Sequence, residues 1–186
     1  MVRKLAFLLF LSLLLSKTSL GQSTILWHEG NPLEWKDFKA RPDGGSKFSA
    51  LTSATFDIKA KPAGQAAVEI RITSKFNPTG SWVKKGKKKD ELLRHEQLHF
   101  DICEMHAREL RKKIQSNSWN AKSFSKKINK LVKKEFKLYK QTQSAYDKET
   151  KHSINKSEQA SWESDIENRL KALEAYKQTL FKLNLD

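Results

Sequence analysis

No glycine occurs anywhere in residues 87–186, whereas residues 24–83 are broken again and again by turn formers. That contrast limits the fold more than any other feature. Glycine is the residue that most readily ends a helix, and a long stretch without it, rich in lysine, glutamate and leucine, favours helix throughout. Asp90 can cap a helix over about 91–115, and "SNSWN" (116–120) interrupts it. A second helix is expected over about 121–147, with Phe124, Ile128, Leu131, Phe136 and Tyr139 on one side. A third is expected over about 157–183, where Trp162, Ile166, Leu170, Leu173, Tyr176 and Leu180 recur at three- and four-residue steps. These stripes read as ordinary core packing.

Upstream, "RPDGG" (41–45), "PAGQ" (62–65) and "NPTG" (77–80) mark turns between extended segments. "PLEWKDF" (32–38) can open a strand, "SALTSATFDIKAKP" (49–62) alternates in part, "AVEIRITSKF" (67–76) alternates well, and "SWVKK" (81–85) supplies one more short strand. The expectation is an α+β fold: a small, mostly antiparallel sheet at about 24–85, then three long helices at about 90–184. Mature residues 22–186 form one domain.

The first residues, "MVRKLAFLLFLSLLL", have the layout of a secretory signal. Arg3 and Lys4 precede an apolar run, Leu5 to Leu15, that is too short to span a bilayer comfortably. Ser19 and Gly21 offer small residues at the −3 and −1 positions of a cleavage site before Gln22. The reading is a signal peptide at 1–21 and an exported protein, periplasmic or extracellular, with no membrane span after cleavage. The single cysteine, Cys103, cannot form an internal disulfide and is expected to be a buried thiol.

The formal charge of the full chain is +15. Removing Arg3, Lys4 and Lys17 from the 36 lysines and arginines leaves 33 against 21 acidic residues, a net +12. Such a balance favours anionic partners, envelope surfaces among them. The lysines are nonetheless spread over helical faces, with one dense cluster at "KKGKKK" (84–89). Nucleic-acid binding rests on charge alone, no recognisable binding motif accompanies it, and no nucleic-acid partner is expected.

Within the first helix lies "ELLRHEQLHFDICEMHAREL" (91–110), which contains H-E-x-x-H at His95, Glu96 and His99. Helical residues four apart sit roughly 40° apart around the axis and ~6 Å along it, so both imidazoles can reach one ion. Glu96, about 100° further round, is placed for a water rather than for the metal. His95 and His99 would hold Zn²⁺ and Glu96 would take a proton from the activated water. Asp101 stands where such helices usually carry an apolar residue and could orient a ligand histidine.

A catalytic zinc needs a third protein ligand. His106 shares the face of His95 and His99 but lies ~10 Å along the axis from His99, and Glu104 projects to the opposite side from His95. The ligand therefore comes from another segment. His152, in the polar break "YDKETKHSINKSEQASW" (146–162), is better placed than His28 near the mature N-terminus.

"LLRHEQLHFDICEMHAREL" followed by "YDKETKHS" resembles a family of bacterial exported proteins, predicted zinc-dependent proteases that are filed as a domain of unknown function. The likeness extends to "LEWKDF…SALTSATF" and to a strand ending in "SWV", and covers nearly the whole mature chain. It implies a zincin-like site with His95, His99 and His152 as metal ligands and Glu96 as base. Ser153 stands where that family usually has glycine. Tyr146, in the same element as His152, either donates to the oxyanion of a carbonyl under attack or packs at a helix end. Asp147 and Glu149 could hold His152 through its other ring nitrogen.

The leading expectation is thus an exported zinc metallopeptidase acting on a peptide or protein substrate. "SWVKK" could lend a sheet edge to that substrate and "KKGKKK" could attract its acidic stretch. The alternative is a non-catalytic basic envelope protein that binds anionic surfaces and in which any zinc is structural.

Overall fold

A computed structural model of the chain describes residues 24–186, so the expected signal peptide at 1–21 and its cleavage site lie outside the described residues. The architecture is α+β, an antiparallel sheet followed by three helices. The described residues form six strands: β1 (Ile25–Leu26), β2 (Ala50–Leu51), β3 (Ala54–Pro62), β4 (Ala67–Phe76), β5 (Trp82–Val83) and β6 (Leu180–Asn184). The helices are α1 (Asp90–Gln115), α2 (Phe124–Thr150) and α3 (Lys156–Ala172).

β4 is the spine of the main sheet. Along one edge it pairs with β3 from Val68 to Phe76, in register from Pro62 opposite Val68 to Ala54 opposite Phe76. Its other edge is shared by β1, at Lys75 and Phe76, and β6, at Ala67 to Arg71. Between those two short partners the ladder is completed from elsewhere. The Ile72 N–H donates to Thr179 O at 2.8 Å, and the Ile72 carbonyl accepts from Nη2 and Nε of Arg111 at 2.9 and 3.2 Å. Arg111 is fully buried, and its charge is met by Glu104 at 2.8 Å, which also accepts from Nε of Arg108 and the Ser74 hydroxyl. A buried guanidinium is tolerable only with such saturation.

β2 and β5 form a separate two-stranded ribbon, Ala50 opposite Val83 and Leu51 opposite Trp82. The core lies between the main sheet and α1. Phe56, Ile70, Ile72 and Phe76 meet Phe100, Ile102, Met105 and Leu110 there, all buried. α2 closes one side, stacking Phe136 on Phe56 with centroids 4.1 Å apart. The acidic pair Asp90 and Glu91 in the first turn of α1 and Lys112 and Lys113 in its last turn complement the helix dipole.

Two sequence-based expectations need correction. "PLEWKDF" is not a strand: Trp35–Asp37 form a single 3₁₀ turn, closed by the Asp37 carboxylate accepting from the Glu34 N–H at 2.8 Å. The third helix does not run to 183 but stops at Ala172, and a 3₁₀ turn at Glu174–Tyr176 leads into β6. Leu180 happens to continue the helical stripe, but Phe181, Leu183 and Leu185 alternate, and it is these that pack on the core. The open edge of β4 decides between the two periods.

Candidate metal centre

α1 carries His95, Glu96 and His99 under the open end of the fold, and the last turns of α2 bring Tyr146 and Asp147 over them. Nε2 of His95 and Nε2 of His99 lie 3.3 and 3.2 Å from Oδ1 of Asp147. One ligand atom from each of these three residues falls within 4.8 Å of the others, a spacing that can hold one metal ion. Nδ1 of His152 reaches the same Oδ1 at 3.1 Å, so three imidazoles converge on one carboxylate oxygen. His152 is more exposed than the helix pair and rests its ring against Phe48.

The opposite ring nitrogens explain why His95 and His99 point as they do. Nδ1 of His95 donates to Oε1 of Gln159 at 3.1 Å, and Nδ1 of His99 donates to Oε1 of Gln143. Both amide orientations are set by further bonds: Nε2 of Gln143 donates to His99 O at 2.8 Å, and Nε2 of Gln159 donates to Glu163 at 2.9 Å. An amide oxygen only accepts, so each Nδ1 carries a proton. Every nitrogen of these two rings therefore faces an acceptor oxygen. A neutral imidazole has one N–H and can satisfy only one of them. The arrangement is balanced by imidazolium rings or by a cation among the two Nε2 atoms and the Asp147 carboxylate. The donor set thus fits a metal.

The electrostatics follow the same geometry. Burial by itself would raise the Asp147 carboxyl, but hydrogen bonds from His95 and His99 hold it far below the usual carboxylate range. Burial works against the charged form of His99, yet Asp147 and Glu96 outweigh it and raise the imidazole above its ordinary value. Glu96 is pushed up by burial, with His99 opposing. It is 3 % exposed, and its Oε2 has no hydrogen-bond partner among the described residues. The Thr52 hydroxyl, just after β2, donates to Glu96 O at 3.1 Å and pins this turn of α1 to the ribbon.

Above the centre is a cleft of about 1060 Å³, lined by Glu96, both helix histidines, Asp147 and His152 from below and by residues 47–52 along one side. The wall on the other side comes from α2 and the turn after it. That turn holds Lys151, His152 and Ser153 at φ of 49°, 53° and 73°, three left-handed residues in succession with no glycine. It is closed by the His152 N–H on Asp147 O and the Asn155 N–H on Thr150 O, at 3.0 and 2.8 Å. Ser153 is therefore in a conformation glycine adopts at no cost.

Tyr146 touches this centre without lining its cleft, and the other residues singled out in the sequence lie apart from it. The Tyr146 ring stacks on His95 with centroids 4.6 Å apart, and its hydroxyl donates into the interior, to Oε1 of Gln159 at 2.8 Å. It is fully buried and does not line the cleft, which is the packed arrangement of the two considered. Asp101 accepts from Nε1 of Trp27 and Nε2 of Gln97 and meets no histidine. His106 is buried with Glu135 and Thr142, at 2.7 and 2.9 Å. His28 is exposed beside Glu29 on a different cavity. Glu149 accepts from Nε1 of Trp162 instead of His152. Cys103 is fully buried, its thiol pushed up to about 12 by burial, and is inert. "KKGKKK" lies away from the cleft, and its neighbour β5 is separated from it by β2.

Gln143 and Gln159 were not legible as site residues. Glutamine carries no charge or metal affinity, and nothing in their spacing points to α1. Asp147 was readable as a partner of His152, and the structure adds its contact with the helix pair.

The family described as "Bacterial protein of unknown function (DUF922)" matches residues 33–153. That span includes His95, Glu96, His99, Asp147 and His152 and ends before Gln159. No curated protein and no solved structure matches the chain.

Proposed function

The chain belongs to this bacterial family of unknown function, and from the centre within its matched span we propose that it is a metal-dependent hydrolase that cleaves peptide bonds. The observation that carries the reading is the double-acceptor environment of His95 and His99, with the unpartnered Oε2 of Glu96 beside them. His95 and His99 would hold the ion through Nε2, with Asp147 or His152 as third donor. Two or three imidazoles with a carboxylate suit Zn²⁺. Bound there, the ion supplies Lewis acidity and makes a water deprotonable near neutral pH.

The remaining work falls to this chain's own groups. Glu96 is a general base: buried, with one oxygen free to accept a proton, and made more basic by its surroundings. It can return that proton to the leaving amine. Gln143 and Gln159 hold the imidazoles in the productive tautomer. Tyr146 positions His95 by stacking and by tying Gln159 in place. Because the mature chain is read as exported, the substrate belongs to the periplasm or the exterior.

Metal content of the purified mature protein, by mass spectrometry, tests the centre. Near one zinc per chain is expected in wild type, retained in Glu96→Gln and lost in His95→Ala and His99→Ala. Asp147→Ala and His152→Ala reveal the third donor by which of them loses metal. Gln159→Leu should weaken zinc affinity about 10- to 100-fold. A peptide library then tests the chemistry: cleavage by wild type and none by Glu96→Gln is the expected pair. No zinc in folded, reconstituted wild type would overturn the reading and favour a non-catalytic basic envelope protein.

A further inference from the structure

The cleft over the metal centre is bordered by four lysines: Lys47 before β2, Lys140 and Lys148 on α2, and Lys151 in the left-handed turn. All four are exposed, and none is ion-paired within the described residues. Some lysines elsewhere pair, such as Lys75 with Asp57 and Lys171 with Glu167, and others do not; what sets these four apart is that they border one cleft. The only carboxylates lining the cleft are Glu96 and Asp147, both committed to the centre at its floor. The rim therefore carries uncompensated positive charge around a site with no free acid on its walls.

Two apolar side chains accompany the lysines. Leu51 is 38 % exposed and Ile154 is 77 % exposed, and both line the cleft. Among the described residues only Leu26 and Leu180 are comparably exposed large hydrophobics, and neither lines it. Ile154 is carried by the turn whose three left-handed residues each cost on the order of 1 kcal/mol. β2 borders the cleft as well, at Ala50 and Leu51.

We propose that the cleft selects an acidic peptide segment, one with carboxylate side chains flanking an apolar residue. Carboxylates meet the rim lysines, and the apolar side chain covers Leu51 and Ile154. A polyanion without apolar groups would use the lysines and leave Leu51 and Ile154 uncovered, so a peptide is the better match. Charge selection of this kind acts through on-rate and register and weakens as salt screens it. The proposal rests on the hydrolase reading of the same centre, since it names that enzyme's substrate class.

The experiment is fluorescence anisotropy on full-length mature E96Q protein with three labelled peptides. Each has a central leucine, flanked by glutamates, serines or lysines. The glutamate peptide should bind at least tenfold more tightly than the serine peptide, with the lysine peptide weakest. Lys140→Glu with Lys148→Glu should cost at least tenfold, while Lys87→Glu with Lys88→Glu, remote from the cleft, should change binding less than twofold. The milder Lys148→Gln should give a severalfold loss if the double variant misfolds. Leu51→Ser should also weaken binding severalfold. Equal affinity for the glutamate and serine peptides, or equal losses from the two lysine pairs, would overturn the proposal. So would polyphosphate out-competing the peptide with no effect of Leu51→Ser. Acidic binding without cleavage by wild type sinks the hydrolase reading alone, and wild-type cleavage indifferent to flanking charge sinks only this one.

Discussion

Ser153 illustrates how much a single backbone torsion can cost beside a candidate metal centre. At φ 73° its Cβ crowds the backbone, and it is the last of three such residues. Replacing it with glycine relieves that strain, although glycine frees the unfolded chain as well. The strain term is the larger, so Ser153→Gly should stabilise the protein by about 1 kcal/mol. For a chain of this size that raises the thermal midpoint by about 2–4 °C, checked by calorimetry. A lower midpoint would mean that the serine side chain contributes more than the torsion costs. The same scale explains the glutamines at the centre: each uses one acceptor oxygen to fix a histidine tautomer and so contributes selectivity without charge.

Between elements, the contact most open to test joins α1 and α2. Glu135 is 1 % exposed and accepts from His106 Nδ1 and Lys113 Nζ, each at 2.7 Å. Burial pushes its carboxyl up, but His106 and Lys113 win and hold it below its ordinary value. A carboxyl depressed in the fold contributes stability that is present above its unfolded pKa and is lost as pH falls through the folded one. Glu135→Gln should therefore cost about 3 kcal/mol near neutral pH. Its penalty should shrink below the normal carboxylate range, as read from urea unfolding at pH 7 and pH 3. An equal penalty at both would make the contact one of packing and not of charge. α3 and β6 depend likewise on neighbours: α3 delivers Gln159 to His95, and β6 exists because β4 offers an open edge.

Over the whole molecule, positive charge is the dominant long-range term. The net +12 of residues 22–186 repels itself at low ionic strength and attracts anionic surfaces and ligands. Raising sodium chloride from about 20 to 300 mM takes the screening length from roughly 20 Å to below 8 Å. The thermal midpoint of the folded protein should rise by a few degrees across that range. A flat or falling midpoint would show that the surface ion pairs, several of them i,i+4 on helices, offset the repulsion.

Local pattern alone determined the α+β class, the antiparallel pairing signal of 49–76, the first two helices to within a few residues of their ends, and the proximity of His95, Glu96 and His99. Those properties depend on spacing along one element, where helical and extended periods dictate which side chains share a face. Tertiary structure decided the rest. It ended the third helix at Ala172, converted 180–184 to strand, and turned the Tyr146 hydroxyl inward. It also set Asp147 between the imidazoles and chose Gln143 and Gln159 to hold them. Each of those outcomes depends on what a residue meets across the fold: an open sheet edge competing with helix propensity, or an acceptor oxygen arriving at a ring nitrogen from 44 or 64 residues away in sequence.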